Sequence, residues 1–406
     1  MVAPTPVLIV SDAVSAGTGL GRIAGEIAIR ADANLKDVCR IASFGYGGPG
    51  SQRFKFPQYA VEGMADFVLP TLPEVWADWA GKQAGVILFV WDAGRLGWFS
   101  RPNVMCGVEP LKQFLTSAKI ERWIYNPVDA EGPHDTLSYP LVQSLLGFDR
   151  ILAYGQWSED IIRRSLGNER SQERDLGSIP HGIDPAIFYP RDRSEARKNF
   201  ASLTGCGNLR GTTPPPIRED EILIGAVATN QARKDWGLWA EICEMLLHRH
   251  HPKARFWIHT DKMENYWSLF ALLVDFGLAD TAMFSLGYLD DDEMAQAYSA
   301  CDVTLGIGAG EGFGYPIAES LFCGTPCIHG KYAGAVDFVD QDLLINPVRL
   351  HLEGVYNCYR PIFDAKDWVG KIEYFLGKRV NQPSQLDWSN VWPRFDAWFR
   401  KALAKQ

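Results

Sequence analysis

Short apolar runs alternate with amphipathic stretches along the whole of this chain. Runs at residues 7–10, 86–91 and 222–227 carry hydrophobic side chains at nearly every position, so both faces of a strand would be apolar, and a shorter strand is expected at 303–306. Such a run suits a strand buried in a parallel sheet, and the amphipathic stretch after it suits the crossover helix that a parallel sheet requires. Further strands are expected at 38–43, 123–125 and 151–154 in the first half, and at 254–259, 282–286 and 326–329 in the second. Helices are expected at 20–31, 157–166, 236–248 and 291–300. Two such series in 406 residues predict two doubly wound α/β halves.

With 47% hydrophobic and 22% charged residues, the chain can build a sizeable core. A formal net charge of -9 argues against binding nucleic acid or anionic lipid through overall charge. A local basic patch at Arg163, Arg164, Arg170 and Arg174 stays open, as does a solvated helix face there. The start, MVAPTPVLIV, lacks a charged leader region and reads as a strand, and no stretch approaches the ~20 apolar residues of a membrane span. The eight cysteines are scattered, which suits reduced thiols in a cytoplasm. Cys323 and Cys327 lack a second pair at zinc spacing, so no metal site is expected.

Residues 311–319 read EGFGYPIAE. Gly306, Gly308, Gly310, Gly312 and Gly314 permit close backbone approach, and a loop entering a helix at Pro316 offers unpaired N–H groups that suit phosphate. Carboxylates suit the vicinal hydroxyls of a sugar. Glu311 on the loop and Glu319 in the helix can reach two parts of one elongated ligand.

The segment YSACDVTLGIGAGEGFGYPIAESLFCGTPCI, residues 298–328, resembles the donor-site signature of retaining glycosyltransferases of family 4 (glycosyl transferases group 1). The resemblance implies the GT-B fold: two Rossmann-like domains facing a cleft, with a C-terminal helix crossing back to the first domain. It implies that Glu311 contacts the transferred sugar and Glu319 the nucleotide ribose, with Gly310, Gly312, Phe313 and Gly314 on the donor loop. IPHGIDPAIFYP, residues 179–190, resembles the family's hinge. The first domain is expected over 1–184 with 387–406, and the donor domain over 185–386. The aromatic stripe of the tail, residues 387–403, suits packing between domains. Residues 204–221, rich in Gly, Pro and Thr, read as a mobile surface insertion.

VATNQARKDWGLW, residues 227–239, places Arg233 and Lys234 between a strand and a helix. Cations there would stabilise a departing diphosphate more than the ground state, and the resemblance puts an Arg and a Lys in this loop. In SLGYLDDDEMAQAY, Asp290, Asp291 and Asp292 read as a helix cap and first turn rather than a metal motif. The family's base-lining segment falls on Gly287, Tyr288 and Leu289. The first loop, SDAVSAGTGLGRIAGE, carries Gly17, Gly19 and Gly21. It is a G-x-G-x-G pattern with no acid at the end of the next strand, which disfavours a nicotinamide oxidoreductase. The resemblance turns this loop toward the donor phosphates.

Acceptor recognition is expected in the first domain. Asp129 is the first choice for a polar group beside the acceptor, followed by His134 and Asp92, each of which also suits a loop cap. His181 reads as structural. Residues 44–59 bring Arg53 and Lys55 among aromatics, which suits either an acceptor face or a self-packed loop. The expected partner is a nucleotide-diphosphate sugar as co-substrate, with no cofactor and no metal. The acceptor is a glycan, a small molecule or a modified DNA base, and a sugar-nucleotide-binding protein without turnover stays open.

Overall fold

The computed structural model describes residues 3–48, 53–61, 68–99, 113–114, 119–354 and 357–405. The chain divides into two compact units, Met1–His181 with Gly354–Cys358 and Ser389–Gln406, and Gly182–Glu353 with Tyr359–Trp388.

The first unit is built on seven parallel strands, β1 (Thr5–Asp12), β2 (Cys39–Tyr46), β3 (Gln58–Val61), β4 (Gly85–Val90), β5 (Ile120–Asn126), β6 (Arg150–Ala153) and β7 (Gly177–Ser178). Their order is β3-β2-β1-β4-β5-β6-β7. The central runs VLIV and VILFV are fully buried, as strands covered on both faces must be. The helix Gly19–Asn34 extends three residues beyond its expected end, since no breaker follows Ala31, and Thr18 caps its start by accepting from Gly21 N at 3.0 Å. The aromatic stripe of the tail forms the helix Trp388–Leu403. Within the first unit Trp398 and Phe399 pack on Trp123, with ring centroids 5.0 and 6.2 Å away, and Phe395 meets Tyr125 at 5.5 Å.

The second unit carries β8 (Cys206–Gly207), β9 (Ile222–Val227), β10 (Ala254–Thr260), β11 (Ala282–Leu286), β12 (Val303–Gly306), β13 (Cys327–Gly330) and β14 (Leu344–Ile345). The order is β14-β13-β12-β9-β10-β11-β8, parallel except for β8. The segment 204–221, expected as a mobile surface insertion, is largely exposed from 210 to 220. Cys206 and Gly207 pair antiparallel with β11, and Ile217 is buried. Two residues of strand are too short for a periodic signal. The expected helix 236–248 ends at Met245 and continues as a wider turn, where His251 N donates to Leu246 O at 2.6 Å. In the second unit Ile183 N donates to Leu386 O at 2.7 Å, and Gly182 lies so close to the Trp388 indole that a Cβ there would sit 2.2 Å from the ring.

Asp302, part of the motif that carries the family resemblance, proves structural. Its carboxylate accepts from Arg193 Nη1 (2.7 Å), Arg197 Nη2 (2.5 Å) and Leu223 N (2.8 Å). Arg197 is buried and also donates to the carbonyls of Ala300, Arg218 and Glu221. The cluster fastens the helix Arg193–Asn199 to the starts of β9 and β12. Replacing Asp302 by Ala leaves a buried guanidinium without its counter-charge, which costs about 3–5 kcal/mol. Denaturant unfolding of Asp302→Ala is expected to show that loss, and a change under about 1 kcal/mol would refute the structural role.

Candidate functional site

In the second unit the strand order reverses between β9 and β12. Open parallel sheets bind ligands beyond the carboxyl ends of the strands at such a switch point. The two loops that leave these strands are laced together. Asp235 N donates to Ile307 O (3.0 Å), Ala309 N donates to Arg233 O (2.8 Å), and Lys234 bridges Gly308 in antiparallel fashion. This pairing sets Arg233 and Lys234 directly against Glu311.

Lys234 is buried, and its ammonium donates to Glu311 Oε1. Arg233 Nη1 donates to Gly310 O at 2.8 Å and stands 3.5 Å from Glu311 Oε2. Burial by itself would raise the Glu311 carboxyl. The charges of Lys234 and Arg233, with the Lys234 hydrogen bond, outweigh it and bring the carboxyl down to about 2. Glycine is needed beside the pair, because a Cβ on Gly308 would fall 2.3 Å from Glu311 Oε1.

The glycine-rich loop after β12 turns into the helix Tyr315–Phe322 through Gly314, whose φ of 93° is left-handed, with Pro316 in the first turn. Phe313 is buried against Tyr315 and Phe338, so it braces the loop and presents no face to a ligand. A second loop supports the first: Gly334 N donates to Glu311 O at 2.9 Å. Its neighbour Ala333 is fully buried at φ 64°, ψ -167°, a region essentially reserved for glycine. Glu319 is 3% exposed and accepts from the Tyr298 hydroxyl at 2.9 Å. The structure therefore gives the second glutamate a protein partner that its sequence position does not reveal.

Beyond β10 and β11, Gly287 has φ 83° and its N–H donates to Thr260 O at 3.1 Å. Tyr288 is exposed and Leu289 buried. Asp290 caps the helix Asp291–Ala300 in a full capping box with Glu293. Sequence reasoning missed Asn230, which is wholly buried beside the cation pair. It accepts from Trp267 N (2.9 Å) and donates to Trp267 O (2.7 Å), while its backbone N–H donates to Asp261 Oδ1 (2.7 Å). A polar residue within a loop gives no sign of such long-range partners.

In the first unit, Gly17 and Gly19 are exposed on the loop after β1. Gly21 is buried, and a Cβ there would sit 2.4 Å from Ala13 O, so its need is steric. Beside this loop lies another missed residue, Asp12. It is buried and accepts from Thr18 Oγ1 (2.7 Å) and Trp91 Nε1 (3.1 Å). Asp92 caps a 3-10 turn by accepting from Gly94 N at 2.7 Å. Asp129 is half-buried past the end of β5, and His134 is exposed on a turn at φ 64°. His181 is buried against the Tyr154 ring, with Tyr125 beyond it.

Among residues 44–59, positions 49–52 lie outside the described residues. Phe54 and Phe56 are buried against each other at 5.4 Å, Arg53 pairs with Glu26 at 2.7 Å, and Lys55 is exposed. The two phenylalanines thus offer no stacking face. Arg163 pairs with Glu159 and Arg174 with Glu173, as on an ordinary solvated helix face. Among the described residues no cluster of three or more His, Cys, Asp or Glu could hold a metal ion, and no helix is long and apolar enough to cross a membrane.

A family described as "Glycosyl transferases group 1" matches residues 221–351. The D-inositol 3-phosphate glycosyltransferase of Actinosynnema mirum is 25% identical over 250 residues, covering 60% of this chain and 55% of that protein. The one from Mycobacteroides abscessus is 24% identical over 332 residues, covering 77% and 65%. The chain therefore spans somewhat over half the length of the curated relatives it matches. Among solved structures, HepE of Anabaena in complex with UDP and glucose matches with a TM-score of 0.66 at 13% identity, over 99% of this chain and 100% of that one. Sucrose-phosphate synthase of Thermosynechococcus elongatus matches with a TM-score of 0.68 at 14% identity over the same shares. These likenesses establish the two-sheet GT-B fold.

Two outcomes are expected from the site's geometry. Glu311 has its carboxyl lowered on folding, so its contribution to stability is fully present above the ordinary value of 4.5 and is lost as pH falls toward about 2. The stability gap between the wild type and Glu311→Gln, up to about 3 kcal/mol at neutral pH, is expected to close over that window. A gap that is independent of pH would refute the ion pair. Ala333→Gly is expected to raise stability by about 1 kcal/mol through relief of backbone strain, read as a higher melting temperature.

Proposed function

We propose that this chain, which has the GT-B fold, transfers a sugar from a nucleotide-diphosphate sugar to a hydroxyl acceptor. The observation that carries this reading is the Arg233–Lys234 cation pair fixed against Glu311 at the switch point of the second sheet. Two cations laced to a glycine-rich loop suit a diphosphate, and an ionised carboxylate beside them suits the hydroxyls of the sugar it carries. The group 1 family match over this same region, and the glycosyltransferase names of the relatives, support the same chemistry. A neighbour of the same fold solved with UDP and glucose supports a nucleotide-sugar donor.

In this reading Glu311 holds the cations in place before the donor arrives. The diphosphate then takes them over, and the carboxylate turns to the sugar hydroxyls. Glu319 serves the ribose while anchored by Tyr298. Gly17 and Gly19, exposed in the first unit, are the candidates there for the donor phosphates, and Asp129, His134 and Asp92 are the candidates for acceptor recognition. Following the family 4 resemblance, the acceptor oxygen attacks the anomeric carbon on the face that the diphosphate leaves. One C–O bond forms as the other breaks, and the acceptor's proton passes to the departing phosphate oxygen. The configuration is retained, with neither a protein nucleophile nor a metal. Scattered cysteines, free among the described residues, suit a reducing compartment such as a cytoplasm.

A thermal-shift panel of nucleoside diphosphates and their sugars is expected to stabilise the protein with at least one donor family, because a ligand that binds only the native state raises stability by mass action. Lys234→Ala is expected to lower turnover by roughly 10²–10³-fold while weakening donor binding much less. Equal losses in turnover and binding would make Lys234 a ground-state contact only. Donor binding without sugar transfer to any acceptor would reduce the protein to a binding module.

A further inference from the structure

We infer that the outer edge of a short β-ribbon pairs with the same edge of a second copy of this chain, which makes the protein a two-fold dimer in solution. The ribbon consists of β15 (Arg349–Glu353) and β16 (Cys358–Ile362). Residues 354–357 connect the strands, too few for a parallel crossover, so the pair is antiparallel. β16 is the inner strand. The Tyr332 hydroxyl donates to Tyr359 O at 2.6 Å, Arg360 Nη1 donates to Ala309 O at 3.5 Å, and Pro361 is buried. β15 is the outer strand. It is exposed from Arg349 to Leu352 and has no second strand neighbour among the described residues. Its free edge is a row of unpaired N–H and C=O groups, which is a template for another strand.

The occupant follows from the sequence of β15, RLHLE, which is complementary to itself. Charged side chains ordinarily guard an edge, because two copies would repel. Here the charges are of opposite sign and symmetric about His351. Antiparallel pairing centred on His351 sets Arg349 of each copy opposite Glu353 of the other, and Leu350 opposite Leu352. Leu350 and Leu352 share one face of the strand and are 39% and 48% exposed, so the pairing gathers four leucines that each copy alone leaves in water. Arg349 has no ion-pair partner among the described residues, while Glu353 is held in place by Arg360 Nε at 2.8 Å. Other registers are disfavoured. Centring on Arg349 or on Glu353 sets like charges opposite each other, as does parallel pairing in register. The product is a four-stranded sheet in the order β16-β15-β15-β16, in place of two ribbons of a kind that is marginal by itself.

Sedimentation velocity of the full chain over a range of concentrations tests this, and a dimer whose fraction rises with concentration is expected. Arg349→Glu changes an exposed side chain and sets glutamate against glutamate at two places in the dimer. It is expected to weaken dimerisation about tenfold or more. Glu353→Arg is expected to do the same. An equimolar mixture of the two variants is expected to regain the dimer, because every glutamate again meets an arginine. Should Glu353→Arg misfold for want of its contact with Arg360, cross-linking reads the register instead. Under mild oxidation His351→Cys is expected to form a disulfide-linked dimer, since residues opposed across the axis have Cα atoms about 4.5–5.5 Å apart. Arg349→Cys, with its two copies about 13 Å apart along the strands, is expected to remain at the wild-type baseline. A monomer at every concentration overturns the inference, even if β15 takes an extended peptide instead. A dimer that Arg349→Glu leaves intact and His351→Cys does not cross-link overturns it too, because another face then holds the copies together.

Discussion

The Lys234–Glu311 ion pair sits where two loops meet, and most of what surrounds it exists to hold it there. Removing a lysine and a glutamate from water costs several kcal/mol per ion unless geometry and hydrogen bonds compensate. Here the compensation comes from the backbone lacing between residues 233–235 and 307–309 and from the additional charge of Arg233. Close approach is possible only because Gly308 has no side chain, and the support loop can reach under Glu311 only because Gly334 has none. The backbone strain at Ala333 belongs to the same arrangement, since strained residues persist where surrounding contacts over-determine them.

Behind the pair, two polar clusters fix the strands from which the loops spring. Asp302 ties the starts of β9 and β12 to a neighbouring helix, and Asn230 ties the loop after β9 to the one after β10. Both are fully used within the protein, which marks them as supports for a site rather than parts of its chemistry. A rigid frame of this kind holds the cations and the carboxylate in fixed positions.

Much of the frame was legible beforehand. Apolar runs at 222–227, 282–286 and 303–306 became strands with those bounds, because a strand buried on both faces has only one way to satisfy its side chains. Asp290 capped its helix because an acid before an amphipathic run has a local partner in the first turn. Other features depended on distant residues and were not legible. Phe54 and Phe56 looked available for stacking until the fold turned them inward. Glu319 gave no sign in the sequence of its partner Tyr298, which the fold brings beside it. Cys206 and Gly207 became an edge strand only because β11 offered them an unpaired edge. Asp12 was silent in the sequence, since its partner Trp91 lies far along the chain.

By itself the sequence determined the two α/β halves, the glycine-rich loop and the residue types in it, because periodicity, turn chemistry and steric need are local properties. The tertiary structure alone decided which charges meet. Parallel strands bring together loops that are some seventy residues apart in the chain, as Lys234 and Glu311 are (77 positions). No local pattern encodes that meeting. It follows from strand order, which puts β12 beside β9, and from a backbone bare enough at Gly308 for the two loops to touch.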